Sequence, residues 1–278
     1  MASEYLTLER LNIHQVTLMQ CGFRESIECL ARHGVAGTTL WLDKLDETSL
    51  DDAVSIVNDN GVRVDALCPG GLLTATKPSA FTAAIDLNRK RLDQAAALGA
   101  RSLVIITGGL SDGDKDIQTA RVRALAGMRQ LVGYARNVNV KLALEPLHPM
   151  VCGFRSVIST ITDAVEFLEE LDAGDITGLA IDSYALWWEP RLHEQLVKVA
   201  PRVLHFHASD WLRETEDLRL DRGMPGDGII DNRRIREHME QGGFTGPVEV
   251  EIFSRKDWWR RPCDEVVQTI VERMEVYL

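Results

Sequence analysis

No run of about 18 consecutive apolar residues occurs in this chain, so nothing in it reads as a membrane-spanning helix. The first residues, MASEYLTLERLNIHQ, have no apolar core of the signal-peptide kind. Cysteine is scarce and irregularly placed. Cys21, Cys29, Cys68, Cys152 and Cys263 form no CxxC pair, which argues against a zinc ribbon and a redox dithiol. Reduced thiols and a cytoplasmic location are the resulting expectations. No GxGxxG opens the first helical segment, and the glycine-rich stretch DRGMPGDG lacks the GK[ST] of a P-loop. Positive charge is in deficit: the formal net charge is -11, which argues against general nucleic-acid binding, since phosphate contacts need a basic surface. No low-complexity linker divides the chain.

What is present is a regular alternation. Short runs rich in β-branched residues fall at 11–18, 38–42, 62–67, 102–107, 141–147, 176–182, 203–209 and 247–253. Segments of helical period follow near 24–33, 49–59, 79–98, 115–137, 160–171, 190–199, 231–241 and 262–276. In the third of these, Phe81, Ile85, Leu92 and Ala96 share one stripe. Gly34, Gly61, Gly99 and Gly174 follow helical segments, where a left-handed C-cap suits glycine. Eight strand-then-helix units predict a (β/α)8 TIM barrel, one α/β domain over 1–278, and such a barrel typically uses about 250 residues. The alternative is a doubly wound open sheet, which the missing dinucleotide fingerprint disfavours. The polar stretch 214–228, after the seventh strand, reads as an active-site loop.

The most informative residues are Glu145, Asp182, His207 and Glu251, at or near the ends of four successive predicted strands. Barrel strands carry functional side chains at their C-terminal ends, so these four would converge on one mouth. Strand period places His205 beside His207, and Glu249 beside Glu251, on one face, with the later residue nearer the mouth. Three carboxylates and an imidazole predict a divalent metal ion held by Glu145, Asp182, His207 and Glu251. Mn²⁺ is the first expectation, and Mg²⁺, Co²⁺ and Zn²⁺ also suit mixed oxygen and nitrogen donors. Such an ion would polarise a hydroxy-ketone, and Glu145 and Glu251 would move the proton.

LALEPLHP at 142–149, LAIDSYALWW at 179–188, LHFHASDW at 204–211, DRGMPGDGIID at 221–231 and VEVEIF at 248–253 carry a resemblance. With them the chain resembles, over essentially its whole length, the xylose isomerase-like superfamily of sugar isomerases and epimerases. It is most similar to the inosose (2-keto-myo-inositol) isomerase and D-tagatose 3-epimerase groups. The resemblance implies the same four metal ligands, the same pair of proton-transferring glutamates, and a sugar or cyclitol substrate. It also implies a substrate contact by the basic residue at Arg213. One departure stands out. Many of these epimerases carry a substrate-binding histidine three residues after the strand-six aspartate, where this chain has Ala185.

His148, Arg155, Trp187 and His14 complete the expected substrate contacts, and a purely structural role is the alternative for each. The pairs Trp187–Trp188 and Trp258–Trp259 would stack on a sugar ring or seal an interface between copies of the chain. The leading expectation is a metal-dependent isomerase or epimerase of a sugar, keto-sugar or keto-inositol. The competing one is a metal-dependent lyase that cleaves an oxidised (3-keto) O- or C-glycoside by β-elimination, a reading that leaves room for a heteromeric partner. An endonuclease with three zinc ions needs more histidines than the seven present. A scaffold barrel without catalysis would need the metal site to be dead.

Overall fold

In the computed structural model, the short β-branched runs form eight parallel strands closed into a barrel, with helices in the connections. The structure describes residues 5–111 and 113–278. The strands are β1 (Leu11–Ile13), β2 (Gly37–Trp41), β3 (Arg63–Gly71), β4 (Ser102–Ile106), β5 (Lys141–Leu144), β6 (Thr177–Asp182) and β7 (Val203–Ala208). An antiparallel pair, β8 (Asp210–Trp211) and β9 (Arg222–Gly223), lies outside the barrel, and β10 (Val248–Val250) is its eighth strand. The hydrogen-bonded order is β1, β10, β7, β6, β5, β4, β3, β2, and β2 closes back on β1.

The connecting helices are α1 (Phe23–Arg32), α3 (Leu50–Asp59), α4 (Pro78–Ala97), α5 (Ile117–Val138), α6 (Ile161–Leu171), α8 (Leu192–Val199), α9 (Asn232–Gln241) and α10 (Cys263–Tyr277). Two one-turn helices, α2 (Leu42–Leu45) and α7 (Ser183–Leu186), follow β2 and β6 and are too short to leave a periodic signal. Several starts are capped by side chains: Ser49, Asp116, Thr160 and Asp231 each accept an amide N–H from the first turn. Gly34, Gly61 and Gly99 are left-handed as expected, but after α6 the left-handed residue is Asp172 rather than Gly174.

Strand ends differ from the expected ones in a way that bears on the mouth. The first strand stops at Ile13, and residues 15–18 form a 3-10 turn. β5 and β10 end one residue before Glu145 and Glu251. Both glutamates remain tied to the neighbouring strand, Glu145 donating its N–H to Ile105 O at 3.0 Å and Glu251 to Ala208 O at 3.0 Å. Their backbones are thus fixed by the barrel while their side chains stand at its rim.

Cysteine pairing corrects the expectation of five reduced thiols. Cys21 and Cys263 form a disulfide with Cα atoms 6.6 Å apart, linking the segment before α1 to the first residue of α10. Cys29, Cys68 and Cys152 are free. The partners are separated by 242 residues, so only barrel closure brings them together. Asp264 reinforces the junction by accepting from Arg32 Nη2 at 2.9 Å and lying 3.0 Å from His33 Nε2.

The larger apolar core lies between strands and helices. Inside the barrel, Val16, Trp41, Ala66, Cys68, Val104, Ala143, Ala180 and Phe253 form a second, smaller cluster. Below it the interior is polar: Asn12 donates to Asp65 at 2.6 Å, Thr39 donates its N–H and Oγ1–H to Glu249, and His205 Nε2 meets Ser102 Oγ at 2.5 Å. No described helix is long and apolar enough to cross a membrane.

Candidate active site

The site lies at the C-terminal ends of β5, β6, β7 and β10. Glu145 Oε1 is 2.9 Å from His207 Nδ1, and Glu251 Oε2 is 3.9 Å from the same nitrogen. One donor atom from each of Glu145, His207 and Glu251 lies within 4.8 Å of the other two. All three side chains are buried. Asp182 is adjacent but differently occupied. Its Oδ1 accepts the Tyr184 N–H at 2.9 Å, and its Oδ2 faces Arg222 Nη1 at 3.0 Å without a well-directed hydrogen bond.

Arg222 joins the site although no expectation from the sequence placed it there. Its Nη1 also donates to Glu251 Oε2 at 2.9 Å, so one guanidinium bridges two of the four expected ligands. The cation packs on the rings of Tyr184 and Phe253, 4.4 and 4.9 Å from their centroids. The loop around it explains the motif DRGMPGDG. The Asp210 carboxylate accepts N–H groups from Gly226, Gly228 and Ile230 at 2.8–2.9 Å, folding the segment back over β8. A Cβ on Gly228 would stand 2.2 Å from Trp211 O, so no other residue fits there. Glycine spacing was the available signal, but it pointed to a tight loop and not to which side chain that loop aims inward.

The electrostatics are those of a site short of positive charge. Burial works against a charged His207, yet its contacts with Glu145 and Glu249 outweigh burial and hold its pKa well above the ordinary imidazole value. Burial pushes the Asp182 carboxyl up to about 7, despite the neighbouring Arg222. Glu251 is lowered because Arg222 and His207 overcome its burial. Glu249 falls to about 2, against its burial, through the His207 contact. A site that protonates an imidazole and recruits an arginine to balance its carboxylates has the donor set for a divalent cation.

Glu249 sits one layer deeper, with Oε2 3.3 Å from His207 Nε2. That ion-pair contact, without a well-directed hydrogen bond, favours a proton on Nε2 and leaves Nδ1 to face the ligand cluster. Glu249→Gln is therefore expected to weaken divalent-metal affinity about 10- to 100-fold, read by calorimetric titration. Unchanged affinity would show that Glu249 does not orient the imidazole.

The expected substrate contacts separate into two groups. His148 and Arg155 line the cleft together with Glu145, Glu251, Ala185 and Arg222. His148 Nδ1 accepts the Met150 N–H at 3.2 Å, so the neutral ring carries its proton on Nε2 as a donor. His14 does the same toward Val16 N–H at 3.1 Å, and its Nε2 lies 3.5 Å from Glu251 Oε1. With Nε2 protonated, His14 is a hydrogen-bond donor beside the cluster and not a metal ligand. Burial lowers the pKa of both rings, which favours this neutral form.

Arg213 is exposed and does not line the cleft. Trp187 packs on Trp211, with ring centroids 5.6 Å apart, and lines a separate depression with Arg191 and Ile235. Trp188 donates to Ala185 O, Trp258 to Asp227, and Trp259 to Val16 O, so these rings brace the walls around the mouth. Arg219, from the loop between β8 and β9, enters the cleft instead.

A closed (β/α)8 barrel with a buried carboxylate–imidazole cluster at the C-terminal ends of its strands is the class that fold and site define. The chain belongs to the Xylose isomerase-like TIM barrel family, whose model matches residues 27–270. A Sinorhizobium meliloti 1021 protein of solved structure is 41% identical, with 96% of this chain and 98% of that one covered and a TM-score of 0.92. Inosose isomerase of Bacillus subtilis (strain 168) is 27% identical over 150 residues, 51% of this chain and 50% of the relative. The chain thus spans about half the length of the curated relatives it matches. The IolI protein, solved with a bound zinc atom, shares the fold at a TM-score of 0.84 and 20% identity, over 97% of this chain and 99% of that one.

Proposed function

We propose that this protein is a divalent-metal-dependent isomerase or epimerase of a sugar, keto-sugar or keto-inositol. The observation that carries the reading is the convergence of Glu145, His207 and Glu251, with Asp182 beside them, at a cleft that Glu145 and Glu251 line. The inosose isomerase relative and the zinc atom of the IolI protein support it. Glu145, Asp182, His207 and Glu251 would hold the ion, with Mn²⁺ first and Mg²⁺, Co²⁺ or Zn²⁺ as the other candidates. When bound, the ion supplies Lewis acidity that polarises a carbonyl and acidifies the adjacent C–H.

The chain's own residues supply the rest. One of Glu145 and Glu251 takes the proton from carbon and the other returns one. His148 offers its Nε2–H to oxygens at the mouth, His14 aims its Nε2–H at Glu251, and Arg222 favours the charged form of Glu251 and holds both Glu251 and Asp182 in place. The second reading, β-elimination from an oxidised (3-keto) O- or C-glycoside, is favoured by one feature. Ala185 lines the cleft where the resembled epimerases carry a histidine, leaving an apolar wall with Leu147 and Val151.

Metal content of the purified protein, wild type beside Glu251→Gln, is the test. About one divalent ion per chain is expected, with at least about tenfold weaker binding in the variant. A wild type that takes up no metal, even from excess Mn²⁺, would remove the proposal. Product analysis separates the two chemistries, because rearrangement conserves mass and elimination releases a leaving group.

A further inference from the structure

We infer that the substrate carries an oxyanion, a phosphate ester or a carboxylate, bound by Arg155 and Arg219 at the solvent-facing end of the cleft. This rests on the proposed function for the position of the reacting end. Arg155 comes from the connection after β5 and Arg219 from the loop between β8 and β9, and both line the cleft that holds Glu145 and Glu251. Among the described residues, neither guanidinium has a carboxylate partner or a side-chain hydrogen bond. Arg191, Arg213 and Arg234 also lack one, but they are exposed and do not line the cleft. Arg63, Arg91, Arg121, Arg123 and Arg273 all find an aspartate. The third cleft arginine, Arg222, is committed to Asp182 and Glu251.

Arg219 is exposed at the solvent-facing end, with part of its side chain lining the cleft. Burial first, then repulsion from Arg155 and Arg222, lowers its pKa, against the opposing pull of Asp217 and Asp43. Two like charges lining one cleft favour an anion between them. Both backbones are fixed in advance. Gly108 N–H donates to Arg155 O at 3.0 Å, and Asp217 Oδ1 accepts the N–H groups of Arg219 and Leu220 at 2.9 and 3.1 Å. A planar guanidinium fork matches phosphate and carboxylate oxygens, and a neutral hydroxyl gains far less from it. The buried carboxylates would take the carbonyl end of the substrate and the arginine pair its charged end. A sugar phosphate or a sugar acid fits that arrangement better than an uncharged sugar or cyclitol.

The test is calorimetric titration of the metal-loaded enzyme with inorganic phosphate, D-fructose 6-phosphate, D-fructuronate and D-fructose. It is run on wild type, on Arg155→Gln/Arg219→Gln and on Arg155→Lys/Arg219→Lys, with unfolding curves checking that each variant is folded. The wild type should bind phosphate, and should bind at least one anionic sugar about tenfold or more tighter than fructose, a preference that weakens with added salt. The stronger of the two anionic sugars distinguishes phosphate from carboxylate. The Gln pair should lose phosphate binding and bring the preference below about threefold, with the Lys pair intermediate. Absence of anion binding by the wild type, or a preference that survives in the Gln pair, would overturn the inference. Turnover assays on the same sugars separate it from the proposed function. Anions held through the arginines with no rearrangement under any metal would sink the isomerase reading alone. Rearrangement of neutral sugars with no anion preference would sink the oxyanion site alone.

Discussion

Glu145→Gln is expected to lower kcat by about 10²- to 10⁴-fold, with a much smaller change in KM, on whichever sugar the wild type turns over. Glu145 is buried, lies 2.9 Å from His207 Nδ1 and lines the cleft, so it reaches both the ligand cluster and the substrate space. Gln preserves its volume and one acceptor oxygen but removes the charge that receives a proton. If the residue only bridged the imidazole, the variant would bind metal less well yet recover turnover at saturating metal. Recovery to within about threefold at saturating Mn²⁺ would therefore reassign Glu145 from proton transfer to support.

Arg222→Met is expected to destabilise the metal-free protein by about 3–5 kcal/mol, because it leaves Asp182 and Glu251 buried without their cation. Methionine occupies part of the same apolar sandwich between Tyr184 and Phe253, so the lost charge dominates over lost packing. For a chain of this size the loss corresponds to a melting shift on the order of 10 °C. Added Mn²⁺ should return much of it, since the ion supplies the missing positive charge at the same carboxylates and stabilises the state that binds it. Urea unfolding in chelator and in metal gives both quantities. A loss below about 1 kcal/mol in chelator would mean that Asp182 simply takes up a proton when the arginine goes.

The barrel was legible because its signal is local. Alternating β-branched runs and capped amphipathic segments fix strand and helix positions, and eight such units leave few architectures. Glu145, Asp182, His207 and Glu251 were legible for a related reason: position at a strand end, together with a period of two, assigns a side chain to the mouth. The same period placed Glu249 and His205 one layer down, where Glu249 meets His207 Nε2 and His205 meets Ser102.

Arg213 and Trp187 show where that logic stops. Both follow strands that reach the site, yet a loop side chain has no period to fix its direction. Arg213 points to solvent, and Trp187 packs on Trp211 outside the cleft. The sequence by itself therefore determined the barrel, its strand order and the cluster of acids and imidazole at the rim. Only the tertiary structure decided that Cys21 meets Cys263, that Arg222 bridges Asp182 and Glu251, and that Arg155 and Arg219 line the cleft with no carboxylate partner among the described residues. Each of these depends on contacts between segments distant in the chain. For Arg222 the deciding contact is the Asp210 carboxylate drawing in the amides of Gly226 and Gly228, a long-range geometry that no local pattern encodes.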